Sequence, residues 1–157
     1  TPNSGAGVAS AIIFAMVPEV LIRALIALTI LQLLTGLFLP LLPMVGFLFF
    51  ILLLTLLVEN LAFSLTLATK SSGLHLFGVF IIFFAIVFSS GWIIPLESFP
   101  AVLESAFSLL PTAMLAQGGR ELIFNTHLTL LSWLVPLLLV AVWHLLNIFL
   151  FTKIMIR

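Results

Sequence analysis

Long apolar runs are the feature that most constrains the fold of this chain. The run from Met44 to Thr69 contains a single charged residue, Glu59. Hydrophobic residues occupy 64% of the 157 positions and charged residues only 6%, whereas an ordinary soluble domain carries roughly 25% charged residues. A soluble fold of this size would expose large apolar patches. Because about 20 apolar residues cross a bilayer, the sequence predicts an integral membrane protein with an all-α fold.

Polar residues, Pro and Gly divide the apolar sequence into four predicted membrane spans. These spans cover residues 24–39, 44–69, 74–92 and 128–151. Residues 11–23 precede the first span and are predicted to form a short interfacial segment with a bend near Pro18. The whole chain, residues 1–157, is therefore predicted to be one polytopic transmembrane domain.

The connector between the last two spans, residues 93–127, is too polar to be a fifth crossing. Its apolar residues recur at roughly helical spacing, as in Phe99, Val102, Leu103, Phe107 and Leu110. That pattern is typical of helices that lie in the interface or dip into it. We therefore predict an interfacial or re-entrant helical segment on the external side of the membrane.

Basic residues predict the orientation, because short loops rich in Lys and Arg stay in the cytoplasm. With four crossings, the same side of the membrane receives Arg23, Lys70, Lys153 and Arg157. Both termini are therefore predicted to be cytoplasmic and residues 93–127 external. We expect the plasma membrane to be the location. Because the chain begins at Thr1 without an initiator Met, we expect it to be a piece of a longer protein.

Several functional classes are disfavoured by what the sequence contains. The chain has no Cys, and its five basic and five acidic residues cancel, so neither a thiolate site nor a nucleic-acid surface is predicted. His75 and His127 fall near span ends on opposite sides and cannot share a metal. No catalytic residues, metal site or cofactor are predicted in this chain. Trp92 and Trp133 are interpreted as interfacial anchors.

Four polar residues inside the predicted spans need an explanation, because polar groups are costly in hydrocarbon. They are Glu59, Asn60, His144 and Asn147. Glu59 lies eleven residues before Lys70 and His144 nine before Lys153, which places both about 14 to 16 Å from the cytoplasmic boundary. Two interpretations stay open: these side chains line part of a substrate route, or they form helix-to-helix hydrogen bonds that fix packing.

An aromatic stripe runs along the third predicted span at helical spacing, through Phe77, Phe80, Phe84 and Phe88. Such stripes usually face lipid or pack against other helices. The alternative is that Phe80 and Phe84 contact a flat hydrophobic substrate.

Three stretches of the sequence together resemble the transmembrane domain of ABC-2-type ABC transporters, most closely subfamily G, the white/brown type. The first is "FAMVPEVLIRALIALTILQLLTGL", from Phe14 to Leu37. The second is "LATKSSG" after the second span, and the third is "SSGWIIPLESFPAVLESAFSLLPTAMLAQGGREL", from Ser89 to Leu122. That family has six spans, so the first two would lie upstream of this chain.

The resemblance implies a permease half that forms a homo- or heterodimer and exports a hydrophobic or amphipathic substrate such as a lipid, a sterol or a drug. It implies a nucleotide-binding domain, fused or separate, that binds ATP and Mg. A phosphate-binding loop of the form G-x-x-x-x-G-K-[ST] is absent from this sequence, so ATP hydrolysis is assigned to a missing domain or subunit.

Glu19 and Arg23 stand four residues apart, in the order that favours an ion pair on a helix. One interpretation is a solvated surface pair that contributes little. The resemblance implies instead that this segment couples the nucleotide-binding domain to the spans. Two alternatives to the subfamily G interpretation stay open: the permease of a bacterial two-subunit ABC-2 exporter, and a non-transporting membrane scaffold.

Overall fold

The computed structural model describes residues 4–36, 38–69, 71–91, 93–124 and 130–155. These residues form seven α-helices and one short 3-10 turn, at Leu96–Ser98, and no strand occurs among them. The helices are α1 Gly5–Phe14, α2 Val17–Thr35, α3 Leu41–Ala68, α4 Ser72–Ser89, α5 Ala101–Ser108, α6 Pro111–Phe124 and α7 Leu130–Met155. The predicted all-α fold is confirmed.

Four helical segments are long and apolar enough to cross a membrane. They are Gly5–Thr35, which joins α1 and α2, then Leu41–Ala68, Ser72–Ser89 and Leu131–Ile154. The prediction of four such helices is therefore confirmed, and the chain has the helix lengths and composition of a multi-pass membrane protein.

The first apolar segment is interrupted once, at Ala15 and Met16, where α1 ends and α2 begins. Pro18 lies in the first turn of α2, where its missing N–H costs no intrahelical hydrogen bond. Gly36 ends α2 with a φ of 70°, a left-handed conformation that Gly adopts without steric penalty. Residues 11–23 thus span the end of α1 and the start of α2.

The α1–α2 segment runs antiparallel to α3 and α7. Gly5 packs against Thr152 near the end of α7, whereas the α2 residues Leu21 and Leu25 share a groove with the α3 residues Val45 and Leu52. Helices α3 and α7 are parallel neighbours, because Asn60 pairs with Asn147 and Phe63 packs against Phe151 at a ring distance of 5.6 Å.

Helices α4 and α6 both run antiparallel to α3, and each covers a different half of it. Gly78 of α4 packs against Leu65 in the C-terminal half of α3. Leu122 of α6 packs against Gly46 in the N-terminal half. The 3-10 turn and α5 connect α4 to α6, so the segment predicted to be external folds back against the helix bundle.

Two clusters of buried apolar side chains hold the helices together. The first joins α1, α2, α3 and α7 through Ala9, Ile13, Val17, Leu56, Leu57, Phe63 and Val140. The second joins α3 and α6 through Phe50, Leu53, Leu115 and Leu122. Helix α4 has no buried residue, so it is attached at the periphery of the bundle.

Candidate intramembrane polar site

Asn60 and Asn147 form a direct link between α3 and α7. The Asn147 Nδ2 donates to the Asn60 carbonyl oxygen at 2.9 Å and to the Asn60 Oδ1 at 3.0 Å. The Asn60 Nδ2 donates to the Leu56 carbonyl at 2.8 Å. Both asparagine side chains are 0% exposed. The two residues singled out by their polarity are therefore brought together and are hydrogen-bonded to each other.

Ser64 and Trp143 extend this link, and the sequence pattern did not single them out. The Ser64 hydroxyl lies 2.7 Å from the Asn147 Oδ1, and the Trp143 Nε1 donates to the Ser64 oxygen at 2.7 Å. Ser64 is one helical turn after Asn60, and Trp143 one turn before Asn147. This i, i+4 spacing from an asparagine is the sequence feature that could have identified Ser64 and Trp143. The network is neutral and satisfied within the protein, which is the arrangement that fixes helix packing in a membrane.

His144 contacts α1 and not Glu59. Its Nε2 lies 3.2 Å from the Ser10 hydroxyl, and its ring meets Phe14 edge-on with centroids 5.3 Å apart. Its Nδ1 is buried and has no hydrogen-bond partner among the described residues. His144 therefore attaches α1 to α7, one helical turn before Asn147, and its partner Ser10 is not part of the Asn60–Asn147 link.

Glu59 is half-buried on α3 beside Asn60. It forms no ion pair and no hydrogen bond with the part of the chain that the structure describes. The structure thus separates Glu59 from the other three polar residues of the predicted set.

Glu19 and Arg23 form the ion pair predicted for them, one turn apart on α2. Their side chains are 48% and 76% exposed, respectively. The neighbouring residue Leu21 shares a groove with Leu52 of α3, so the pair lies level with the middle of the 28-residue α3. The coupling role of the pair stays a prediction.

Phe80 and Phe84 contact each other, with ring centroids 4.5 Å apart. They are 59% and 40% exposed. They lie on the side of α4 away from Gly78 and Ile82, which face the bundle. Their role in substrate contact also stays a prediction.

An apolar crevice of about 270 Å³ lies where α3, α4, α6 and α7 meet. Its walls include Leu57, Ile82, Ile86 and Leu139, and its polar residues are Ser89, Thr112 and Trp143. Because Ser89 ends α4 and Pro111 begins α6, the crevice lies where α4 stops packing against α3 and α6 begins to do so. Such a space suits an apolar group.

A second, polar cavity of about 410 Å³ lies between the end of α4, α5 and α6. Glu97, Glu104, Gln117 and Arg120 contribute to its lining. The Arg120 guanidinium donates to the Gly91 carbonyl and ties α6 to the end of α4. Gly91 itself has a φ of 75°, which favours glycine at this turn.

Among the described residues, no group of three or more His, Cys, Asp or Glu side chains is arranged to hold a metal ion. Trp133 is half-buried against the second apolar cluster. Lys70, Trp92, His127 and Arg157 lie outside the described residues, so the interpretations given for them stay predictions.

Comparisons of the chain with protein-family models, with curated proteins and with solved structures find no match. The resemblance to ABC-2 permeases therefore rests on the sequence pattern quoted above.

Proposed function

We propose that this chain is the membrane-spanning permease part of an ATP-driven ABC-2-type exporter for a hydrophobic or amphipathic substrate. The observation that carries the proposal is the arrangement of the segment between the last two spans. The third stretch that resembles the family, from Ser89 to Leu122, supplies the prolines, α5 and most of α6 in this segment. Helix α6 packs back along α3 and α7.

We propose that α5 and α6 form a re-entrant pair that enters from the external side. The supporting observation is that α4 runs beside only the C-terminal half of α3, whereas α6 packs along the N-terminal half. Helix α4 itself contains 18 residues and is about 27 Å long, close to the roughly 30 Å thickness of the hydrocarbon core. Broken helices of this kind occur in transporters where the backbone lines a cavity.

The apolar crevice supports the substrate class. Its lining is predominantly apolar, and a site of that composition selects by shape and apolar contact. A lipid, a sterol or a drug-like compound fits this chemistry. The export direction comes from the family resemblance. ATP and Mg bind in a nucleotide-binding domain, fused or separate, and a second permease half completes the transporter.

A filling substitution with a matched control tests the substrate site. Ile82→Trp adds an indole to the crevice wall, whereas Ile81→Trp adds it to the neighbouring position, which is 50% exposed. In proteoliposomes that contain the full-length protein and its ATPase, we expect Ile82→Trp to lower ATP-dependent transport and Ile81→Trp to leave it intact. Equal transport by both variants, at equal expression, would contradict the assignment of the crevice.

The ATPase is tested separately, by purifying the full-length protein from its native membrane. We expect vanadate-sensitive ATP hydrolysis in the preparation. An ATPase domain on the same polypeptide favours subfamily G, and an ATPase on a co-purifying subunit favours the bacterial two-subunit exporter. Absence of any ATPase would refute the proposed function.

A non-transporting membrane scaffold is the second candidate. The observation that favours it is the Asn60–Asn147 network, whose members are enclosed and bonded to one another. A scaffold needs such packing contacts and requires neither ATP nor a substrate crevice. The absence of ATPase from the preparation, together with no ATP-dependent transport by the wild-type protein, would support this candidate.

A further inference from the structure

The outward side of α2 carries a row of exposed residues that we call the outer seam: Glu19, Arg23, Ile26, Ile30 and Leu33. The opposite side of α2 faces the bundle through Val17, Leu21, Ala24, Leu28 and Gln32. Ile26, Ile30 and Leu33 are 54%, 51% and 68% exposed. Their spacing of three and four residues is that of a helix-packing seam.

The charged end of the outer seam lies far from both ends of α3. Leu21 stands between Glu19 and Arg23 in sequence and shares a groove with Leu52. Leu52 is 11 residues from Leu41 and 16 residues from Ala68, or about 16 and 24 Å along the helix axis. Helix α1 then continues the same apolar segment to the level of Thr152. The ion pair is therefore near the middle of the first apolar segment, Gly5–Thr35, whereas the charge pattern predicts Arg23 on the cytoplasmic side, before the first span. In this arrangement the prediction of the cytoplasmic side depends on Lys70, Lys153 and Arg157.

Contact with lipid acyl chains is energetically unfavourable for this ion pair. Arg23 and Glu19 are 76% and 48% exposed, and charged groups at such depth normally face protein or water. Long charged side chains near the end of a span can extend to the membrane interface. This pair is too far from either end of the segment Gly5–Thr35 to do so. The flanking seam residues are apolar, which argues against a water-filled channel along α2. Protein is the remaining neighbour.

We propose that the outer seam of α2 is an intramembrane interface with a second copy of this chain. The proposal deepens the proposed function, which requires two permease halves, by assigning the surface on which they meet. Charge complementarity identifies the occupant. Each copy presents one carboxylate and one guanidinium, which pair within that copy. A two-fold axis would bring Glu19 of each copy to Arg23 of the other as well. The four charges sum to zero, and Ile26, Ile30 and Leu33 pack beside them.

Single cysteines test the contact directly, because the chain has no native Cys. Ile26→Cys lies on the outer seam, and Leu145→Cys on α7 is a control that is 65% exposed. Under copper-phenanthroline oxidation in native membranes, we expect the full-length Ile26→Cys protein to form a disulfide-linked homodimer. The Leu145→Cys protein should remain monomeric on the gel. A cross-link from Ile26→Cys to a different protein, or no cross-link, would overturn the proposal.

Charge reversal tests the complementarity with the Ile26→Cys reporter present. Glu19→Arg gives a copy with two positive charges, and Arg23→Glu gives one with two negative charges. We expect each variant alone to lose the homodimer cross-link and the two co-expressed variants to restore it as a heterodimer. Unchanged cross-linking by either variant alone, or no restoration in the mixture, would overturn the proposal. Restoration also shows that both variants fold, and it is read without any ATPase or transport assay, so failure of the proposed function remains distinguishable.

Discussion

Removing the Asn147 side chain is the sharpest test of how the bundle is held together. Asn147 makes three hydrogen bonds to α3, at 2.9 Å and 3.0 Å to Asn60 and at 2.7 Å to Ser64. Hydrogen bonds between membrane helices average about 0.6 kcal/mol each, so their loss costs about 2 kcal/mol. Asn147→Ala also leaves the buried Asn60 Oδ1 without its donor, which costs about 1–3 kcal/mol more. We expect a total loss of about 3–5 kcal/mol.

The free energy of unfolding is measured by SDS titration in mixed micelles. Tryptophan fluorescence follows the unfolding, and one of the three tryptophans, Trp143, donates its Nε1 to Ser64 at 2.7 Å within the same network. Leu146→Ala is the matched control: it is the preceding residue on α7, and its side chain is 51% exposed. We expect this control to lie within about 0.5 kcal/mol of the wild type.

A double-mutant cycle separates the link itself from general damage to α7. We expect Asn60→Ala and Asn147→Ala together to cost less than the sum of the single substitutions, with a coupling of at least about 0.5 kcal/mol. If Asn147→Ala unfolds at the wild-type SDS concentration, or if the two substitutions are additive, the network does not stabilise the α3–α7 pair and the reasoning is refuted.

Two further predictions concern α6 and the unpaired carboxylate. Gly118→Ala places a Cβ 2.7 Å from the Phe50 ring, so we expect a loss of about 1–3 kcal/mol in SDS unfolding. Gly119→Ala, whose Cβ would lie 3.9 Å from Phe47, should be neutral or stabilising; equal effects would contradict the docking of α6. Glu59→Gln should preserve the SDS stability, because it removes a membrane charge without a described partner. A lower SDS stability would contradict the expectation for Glu59→Gln. Loss of transport in a variant of unchanged stability would assign Glu59 to the substrate route.

Hydropathy was sufficient to predict the four long helices, because the cost of exposing backbone and polar side chains to lipid leaves few alternatives. The same rarity of polar residues in apolar runs singled out Asn60 and Asn147, which do lie together. The pattern did not reveal Ser10, Ser64 and Trp143. Ser and Trp are ordinary residues in membrane helices, so they become informative only when another helix brings a partner to them.

The register between neighbouring helices could not be predicted from the sequence. That α4 covers half of α3 and α6 covers the rest depends on close contacts at Gly78 and Gly46, which involve side chains distant in sequence. The same limit applies to Glu19 and Arg23. Their i, i+4 spacing predicted the ion pair, but only the packing of α2 along α3 places the pair level with the middle of α3.

Cysteine labelling at two positions tests the four-span arrangement most directly. Ser71, just before α4, and Ser105, on α5, are both exposed. In sealed vesicles of the otherwise cysteine-free protein, a membrane-impermeant maleimide should label Ser71→Cys from the cytoplasmic side and Ser105→Cys from the opposite side. Labelling of both cysteines from the same side would contradict the arrangement of spans on which the proposed permease function depends.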